Sequence, residues 1–381
     1  MVKVQSSTSE VVMNYYKKYN ISLKYEETKN EQPFVSYTLS LFDGNNKIFT
    51  DHETQYFNNN AIEFIKQNKD IEYNVYDNLE GINIYLYYFQ PVNKWFVSTK
   101  KQINNHEIYK SVIRAMNYEK LIFEQLDKNY VYVLKLISNK FIRFCSYSRF
   151  NKYDYIFFVK KINRQTNEIF YNDDQHIFAR FNIDIDYKTK YKTIENFIET
   201  DMKNKNLNAF KENGYLKCIG LTVYCIKDNQ RIILNIDTNI YKFISESGYD
   251  YQKYKLKPID VLFFYYLLSH DEKYKKRIID ILKIEYMPTI LSVRLGQYEK
   301  IIDKVCVYMS TFYINKEISN YKSLEYFKSN FNKFIEGRKS FITEKDYPSY
   351  ICEYFKVQNI NIFFSIFKSI KKSNPSVFEE N

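Results

Sequence analysis

The residues best suited to chemistry in this 381-residue chain are carboxylates and cations. Asp173-Asp174 is an adjacent acidic pair, and Asp184-Ile185-Asp186 places two carboxylates at alternate positions, which a strand turns to one face. Either could hold a hard divalent cation through its oxygens, and either fits a solvated strand or turn equally well. Lys100 and Lys101, with Arg143 and Arg149 further on, could contact phosphates, as could the run Lys273 to Arg277 and the later Lys368, Lys371 and Lys372. On helices the last two groups read as solvated faces. Hydrolytic chemistry has no support: His52, His106, His176 and His270 lie far apart, and no serine occupies a Gly-x-Ser-x-Gly turn. Neither a Walker loop nor a Gly-x-Gly-x-x-Gly occurs to cradle phosphates. The five cysteines are scattered, without a Cys-x-x-Cys, so neither a metal site nor a bound cofactor is expected.

Strands must position most of these groups. Glu80 to Lys101, EGINIYLYYFQPVNKWFVSTKK, reads as a hairpin. Ile82, Ile84 and Leu86 alternate with Asn83, Tyr85 and Tyr87, Gln90-Pro91-Val92-Asn93 turns the chain, and Lys94 to Thr99 returns. Upstream, residues 8 to 19 predict a short helix, Phe34 to Thr50 two strands joined at Asp43-Gly44-Asn45-Asn46, Asn60 to Gln67 a helix, and Ile71 to Tyr76 a strand. Apolar spacing over Glu107 to Leu126 predicts one or two helices. Tyr130 to Leu136, Phe141 to Phe144, Tyr155 to Ile162 and Glu168 to Tyr171 predict strands, Lys188 to Lys205 an amphipathic helix, and Leu216 to Ile226 with Arg231 to Ile236 a strand pair. The composition changes near Ser245-Glu246-Ser247-Gly248. Beyond it, Pro258 to Leu267, Val293 to Tyr313, Ser323 to Ile335, Pro348 to Phe355 and Ile360 to Ile370 have helical spacing. The expected fold is α+β: an antiparallel-sheet domain over residues 1–248, then an all-helical domain over residues 249–381.

Composition narrows the classes. With 45% hydrophobic residues and few Gly or Pro (7 and 6), the chain can bury a sizeable core and is neither disordered nor linker-rich. The excess of Asn, Lys, Ile and Tyr is what an AT-rich genome's codons favour, so a tyrosine stripe or lysine cluster is not by itself function. The net charge of +11 is spread, with 22 Lys and Arg against 16 Asp and Glu in residues 250–381 and 34 against 29 before them. That density permits nucleic-acid binding without requiring it. MVKVQSSTSE is polar and reads as no secretory leader, and the longest apolar run, Val261 to Leu268, is far too short to span a bilayer. With odd, unpatterned cysteines these features predict an intracellular, cytoplasmic protein without a membrane partner.

The order of hairpin, strand and Tyr-rich block resembles the covalent nucleotidyltransferase superfamily of RNA ligases, DNA ligases and mRNA capping enzymes. Asn129 to Asn172, with NYVYVLKLIS, FIRF and YDYIFFVKKINRQTNEIFYN, is similar to the block of phage tRNA-repair RNA ligases in which a strand with a central acid precedes a paired strand. Proteins of large DNA viruses carry the same run. The resemblance covers roughly residues 30 to 245 and implies a nucleotide pocket between two antiparallel sheets, followed by a helical domain. It also implies a lysine nucleophile in Lys-x-Asp-Gly, which this chain replaces by Asn78-Leu79-Glu80-Gly81; an amide nitrogen does not attack phosphorus. The ribose-contacting strand acid falls at Lys135, the Glu-Gly metal motif at Ile219-Gly220 or, as a second possibility, at Asn213-Gly214 beside Glu212, and the phosphate-neutralising Lys-x-Lys at Asn235-Ile236-Asp237. The intervals of 57, 84 and 16 residues keep the family's order. Gly81, Trp95, Thr99-Lys100, Arg143, Gly220 and Tyr241 match the pattern.

The resemblance therefore implies a catalytically inactive ligase-like protein: a pseudoenzyme serving as a binding or scaffold subunit in viral RNA metabolism or the virion, with RNA or a protein as partner. Lys100, Lys101, Arg143 and Arg149 are the expected RNA contacts, and a viral factory or virion is the setting implied. Two alternatives stay open. One is an active ATP- or GTP-dependent nucleotidyltransferase with relocated residues, and the other a structural virion protein that binds no nucleic acid.

Overall fold

Alternating apolar and polar residues fold into two sheets. The computed structural model describes residues 8–29, 34–78, 80–118, 123–138, 140, 144–145, 154–170, 189–191, 213–227, 230–315, 321–336 and 342–378. The chain parts into two compact units, Met1–Lys205 with Leu216–Thr238, and Asn206–Tyr215 with Asn239–Asn381.

In the first unit the elements run β1 (Thr8–Tyr16), β2 (Ile21–Lys29), β3 (Phe34–Asp43), β4 (Asn46–Phe57), α1 (Asn58–Gln67), β5 (Tyr73–Asn78), β6 (Ile82–Phe89), β7 (Lys94–Thr99) and β8 (Gln102–Ile103). There follow α2 (His106–Tyr118), β9 (Tyr130–Ile137), β10 (Tyr155–Asn163), β11 (Ile169–Phe170), β12 (Thr189–Tyr191), β13 (Gly220–Lys227) and β14 (Gln230–Asp237). The larger sheet has the order β1-β2-β3-β4-β14-β13-β5-β12 and the smaller β11-β10-β9-β6-β7-β8. Pairing is antiparallel except between β14 and β4.

Three apolar layers hold this unit together. Ile84, Leu86, Tyr132, Leu134 and Leu136 of the smaller sheet pack against Ile108, Val112 and Met116 of α2. Leu23, Leu39, Leu41 and Phe49 of the larger sheet meet Tyr85, Tyr87, Val131 and Val133 of the smaller one. On the far face of the larger sheet, Val75, Leu221, Val223, Leu234 and Ile236 cover Ala61, Phe64 and Ile65 of α1. Side chains alternate along a strand, so residues one step from this last layer point the other way, toward the smaller sheet. They include Asn78, Gly220, Thr222, Asn235 and Asp237. The sandwich is thus apolar over β2 and β3 and polar over β5, β13 and β14.

The α+β class, the antiparallel sheets and the C-terminal helices agree with the sequence, and the β6–β7 hairpin keeps the expected strands around Gln90–Val92. Two elements differ. Residues 8 to 19, expected as a helix, form β1, because TSEVVMNYY pairs along its whole length with β2, a strand the sequence did not reveal. Thr189–Tyr191, expected to open an amphipathic helix, pairs antiparallel with β5, while residues 192–205 lie outside the described residues. The expected strand Phe141 to Phe144 lies largely outside them too.

The second unit is helical: α3 (Asn239–Glu246), α4 (Tyr251–Tyr254), α5 (Pro258–Leu268), α6 (Glu272–Glu285), α7 (Pro288–Ile314), α8 (Lys322–Ile335), α9 (Tyr347–Val357) and α10 (Ile360–Ser373). Its centre is α5, buried on nearly every side, as a helix apolar all round must be. Asp271 caps α6 by accepting from the backbone N–H of Lys273 and Tyr274, and proline starts α5 and α7. Tyr298 stacks on Phe263 at 4.4 Å and donates to Asp260 at 2.5 Å.

Candidate functional site

The polar half of the sandwich gathers the motif positions. Asn78 ends β5, its carbonyl accepting from Ile219 N at 3.1 Å, and Gly220 of β13 pairs with Asn78 on one side and Asp237 on the other. Asn78 and Asp237 thus share a face two strand spacings apart, about 10 Å. Between them Gly220 has no side chain because none fits: a Cβ there would lie 2.2 Å from Ile236 O. Asn58, at a left-handed φ of 49°, clasps Asp237 by donating to its Oδ2 at 3.2 Å and accepting from its backbone N–H at 2.9 Å. Asn235 donates to Gln55 and accepts from Thr222, both at 3.1 Å.

Lys135 comes from the opposite sheet. It pairs with Asn83 across β9 and β6, and its Nζ donates to Asn78 Oδ1 at 3.2 Å. Burial pushes its pKa down from 10.5 to about 8, against the opposing pull of Cys145 and Glu80. Gly81 makes room for this crossing, since a Cβ there would meet Leu136 O at 2.9 Å and Lys135 Cγ at 3.2 Å. Glu80 beside it is structural: its Oε2 accepts from Phe144 N at 2.7 Å and Cys145 N at 3.0 Å. That pins a segment which in turn bridges to Leu216.

A second polar cluster lies between β4 and β10, and sequence reasoning missed it. Lys160 is fully buried and contacts Asp51 Oδ1 and Glu53 Oε1, each at 2.5 Å, while Tyr85 donates to Asp51 at 3.2 Å and Gln55 to Glu53 at 3.0 Å. Burial drives Asp51 above the usual carboxylate range despite Lys160. For Glu53 burial pushes the same way, but the Lys160 charge and its hydrogen bond outweigh it and hold the carboxyl low. The available signal was Asp51-x-Glu53, two acids on one strand face, opposite a lysine inside an apolar run.

Asn78, Ile219 and Asp237 therefore lie at the ends of neighbouring strands, Lys135 reaches Asn78 from the opposite sheet, and Asn235 lies two residues inward along β14. Lys100 and Lys101 follow β7; Lys101 is exposed, and the Lys100 ammonium lies over the rings of Tyr25 and Tyr37 at 5.2 and 5.7 Å. Arg143, Arg149 and the acidic stretches at 173–174 and 184–186 lie outside the described residues. His52 Nδ1 is hydrogen-bonded to Thr38 at 3.0 Å, and His106 and His270 are exposed. In the helical unit Arg277 pairs with Glu246 at 2.7 Å and Lys275 with Glu272 at 3.1 Å.

Charges in the inter-sheet space are largely paired or hydrogen-bonded within the protein: Asp51 and Glu53 meet Lys160, the Asp237 carboxylate accepts from Asn58, and the Lys135 amine donates to Asn78.

No family model matches this sequence, and no curated protein does. Among solved structures, an archaeal ATP-dependent RNA ligase is similar over 76% of this chain and 72% of its own, at 10% identity and a TM-score of 0.39. A Naegleria gruberi RNA ligase mutant with ATP and Mn is similar over 48% of this chain and 53% of its own, at 14% identity and a TM-score of 0.32.

Proposed function

We propose that the chain is a non-catalytic, RNA-ligase-like protein that acts as a binding or scaffold subunit, with RNA or a protein as partner. The viral setting rests on the sequence run of hairpin, helix and Tyr-rich strand described above. What carries the reading is the geometry at Asn78. The position that needs an amine bears an amide, and that amide is held by Lys135 at 3.2 Å rather than left beside free cations. A partly neutral lysine does not restore the reaction, because charge developing on an α-phosphate would face Asp237 instead of the two lysines that neutralise it. A ligation assay tests this: RNA with 5′-phosphate and 3′-hydroxyl ends, ATP or GTP, and magnesium should give no joined product while a protein–RNA or protein–protein complex is retained. Joined product would sink the reading.

A further inference from the structure

The contact between Lys135 and Asn78 brings an amine and a carboxamide together from two different sheets. Both backbones are fixed. Asn78 is held in register with Gly220 and by the Ile219 N–H, and Lys135 sits inside β9 between Leu134 and Leu136, each paired with β6. Gly81 leaves the path along which the lysine stem crosses, 3.2 Å from where its own Cβ would be. The two side chains thus meet through sheet geometry and not through the chance approach of two surface groups.

We propose that Lys135 and Asn78 are the site of an intramolecular amide cross-link joining β9 to β5. The step balances within the protein. The Lys135 Nζ lone pair attacks Asn78 Cγ, once rotation about the Cα–Cβ and Cβ–Cγ bonds turns the face of the amide toward the amine, and the carbonyl electrons move to oxygen. A proton then passes from the attacking nitrogen to the amide nitrogen, the carbonyl re-forms, the Cγ–Nδ2 bond breaks, and ammonia leaves. No oxidant, nucleotide or metal is consumed.

Two physical features favour the reaction. A pair of reactants held in contact behaves as though one were present at about 10⁵–10⁸ M when the orientation is right. The amine must also be neutral. With a pKa of about 8 roughly a tenth of it is neutral at pH 7, against well under a thousandth for an ordinary lysine. The cross-link is therefore expected to form faster as pH rises from 7 toward 9.

Intact-mass spectrometry on the purified full chain, incubated at mildly alkaline pH, tests it. The expected mass is below that of the sequence by one ammonia, and digestion should yield one branched peptide joining the Asn78 and Lys135 segments. Succinimide formation at Asn213-Gly214 would lose the same ammonia, so the branched peptide and the variants decide. Lys135→Arg and Asn78→Ala should each abolish it. A wild-type digest holding the two segments as separate linear peptides overturns the proposal without needing any variant to fold. The non-catalytic reading fails on a different result, a gain of one nucleoside monophosphate on incubation with ATP or GTP and magnesium, so the two claims fall separately.

Discussion

Lys160 is fully buried and Lys135 half-buried, with opposite consequences. Lys160 is compensated by two carboxylates, so removing it strands Asp51 and Glu53 as buried charges. Lys160→Met should therefore cost about 3–5 kcal/mol, read as a lower midpoint in urea unfolding. Lys135 has an amide for its partner, and its pKa falls from 10.5 to about 8. Between those values the unfolded chain binds a proton that the folded chain has released, so this residue's contribution to stability rises with pH across the window and is smallest below it. Relative to Lys135→Met, wild-type protein whose Lys135 amine is still free by intact mass should gain about 2 kcal/mol between roughly pH 8 and pH 10. A flat difference would mean that the amine stays solvated.

At the scale of elements, Gly220 is where the β14 backbone leaves no room for a side chain on β13, and Gly220→Ala should cost about 1–3 kcal/mol or more by forcing Ile236 and Asp237 aside. Urea midpoints compared with Gly248→Ala are the check, since Gly248 has open space around it but a φ of 70°, so that variant reports backbone strain without a clash. The strands β6, β7, β9 and β10 are legible in the sequence because each is a short run rich in apolar, β-branched and aromatic residues, with alternate side chains going to two different core layers. Sequence pattern failed for β1, where Val11-Val12 and Tyr15-Tyr16 suit either period and the deciding fact is a partner strand. It also failed for β2 and for α3. The motif positions could be ordered along the chain but not brought together, since the Asn78–Lys135 contact spans 57 residues and two sheets. The Lys160 cluster depends on a register shift between Phe158 and Lys160, which no local pattern announces.

Over the whole molecule the net charge of +11 suits a nucleic-acid partner, and among the described residues no helix is long and apolar enough to cross a membrane. If RNA is the partner, replacing Lys100, Lys101 and Arg149 by alanine should weaken binding at low salt and reduce the salt slope by about 1 for every phosphate no longer neutralised. Unchanged affinity would remove those cations from the account and leave a protein partner. The proposal that the cleft around Asn78 carries out no covalent nucleotide chemistry is tested most directly by incubating the protein with labelled ATP or GTP and magnesium and then separating it under denaturing conditions. The account predicts no label on the protein. A covalent nucleotide adduct that disappears in Lys135→Arg would contradict it.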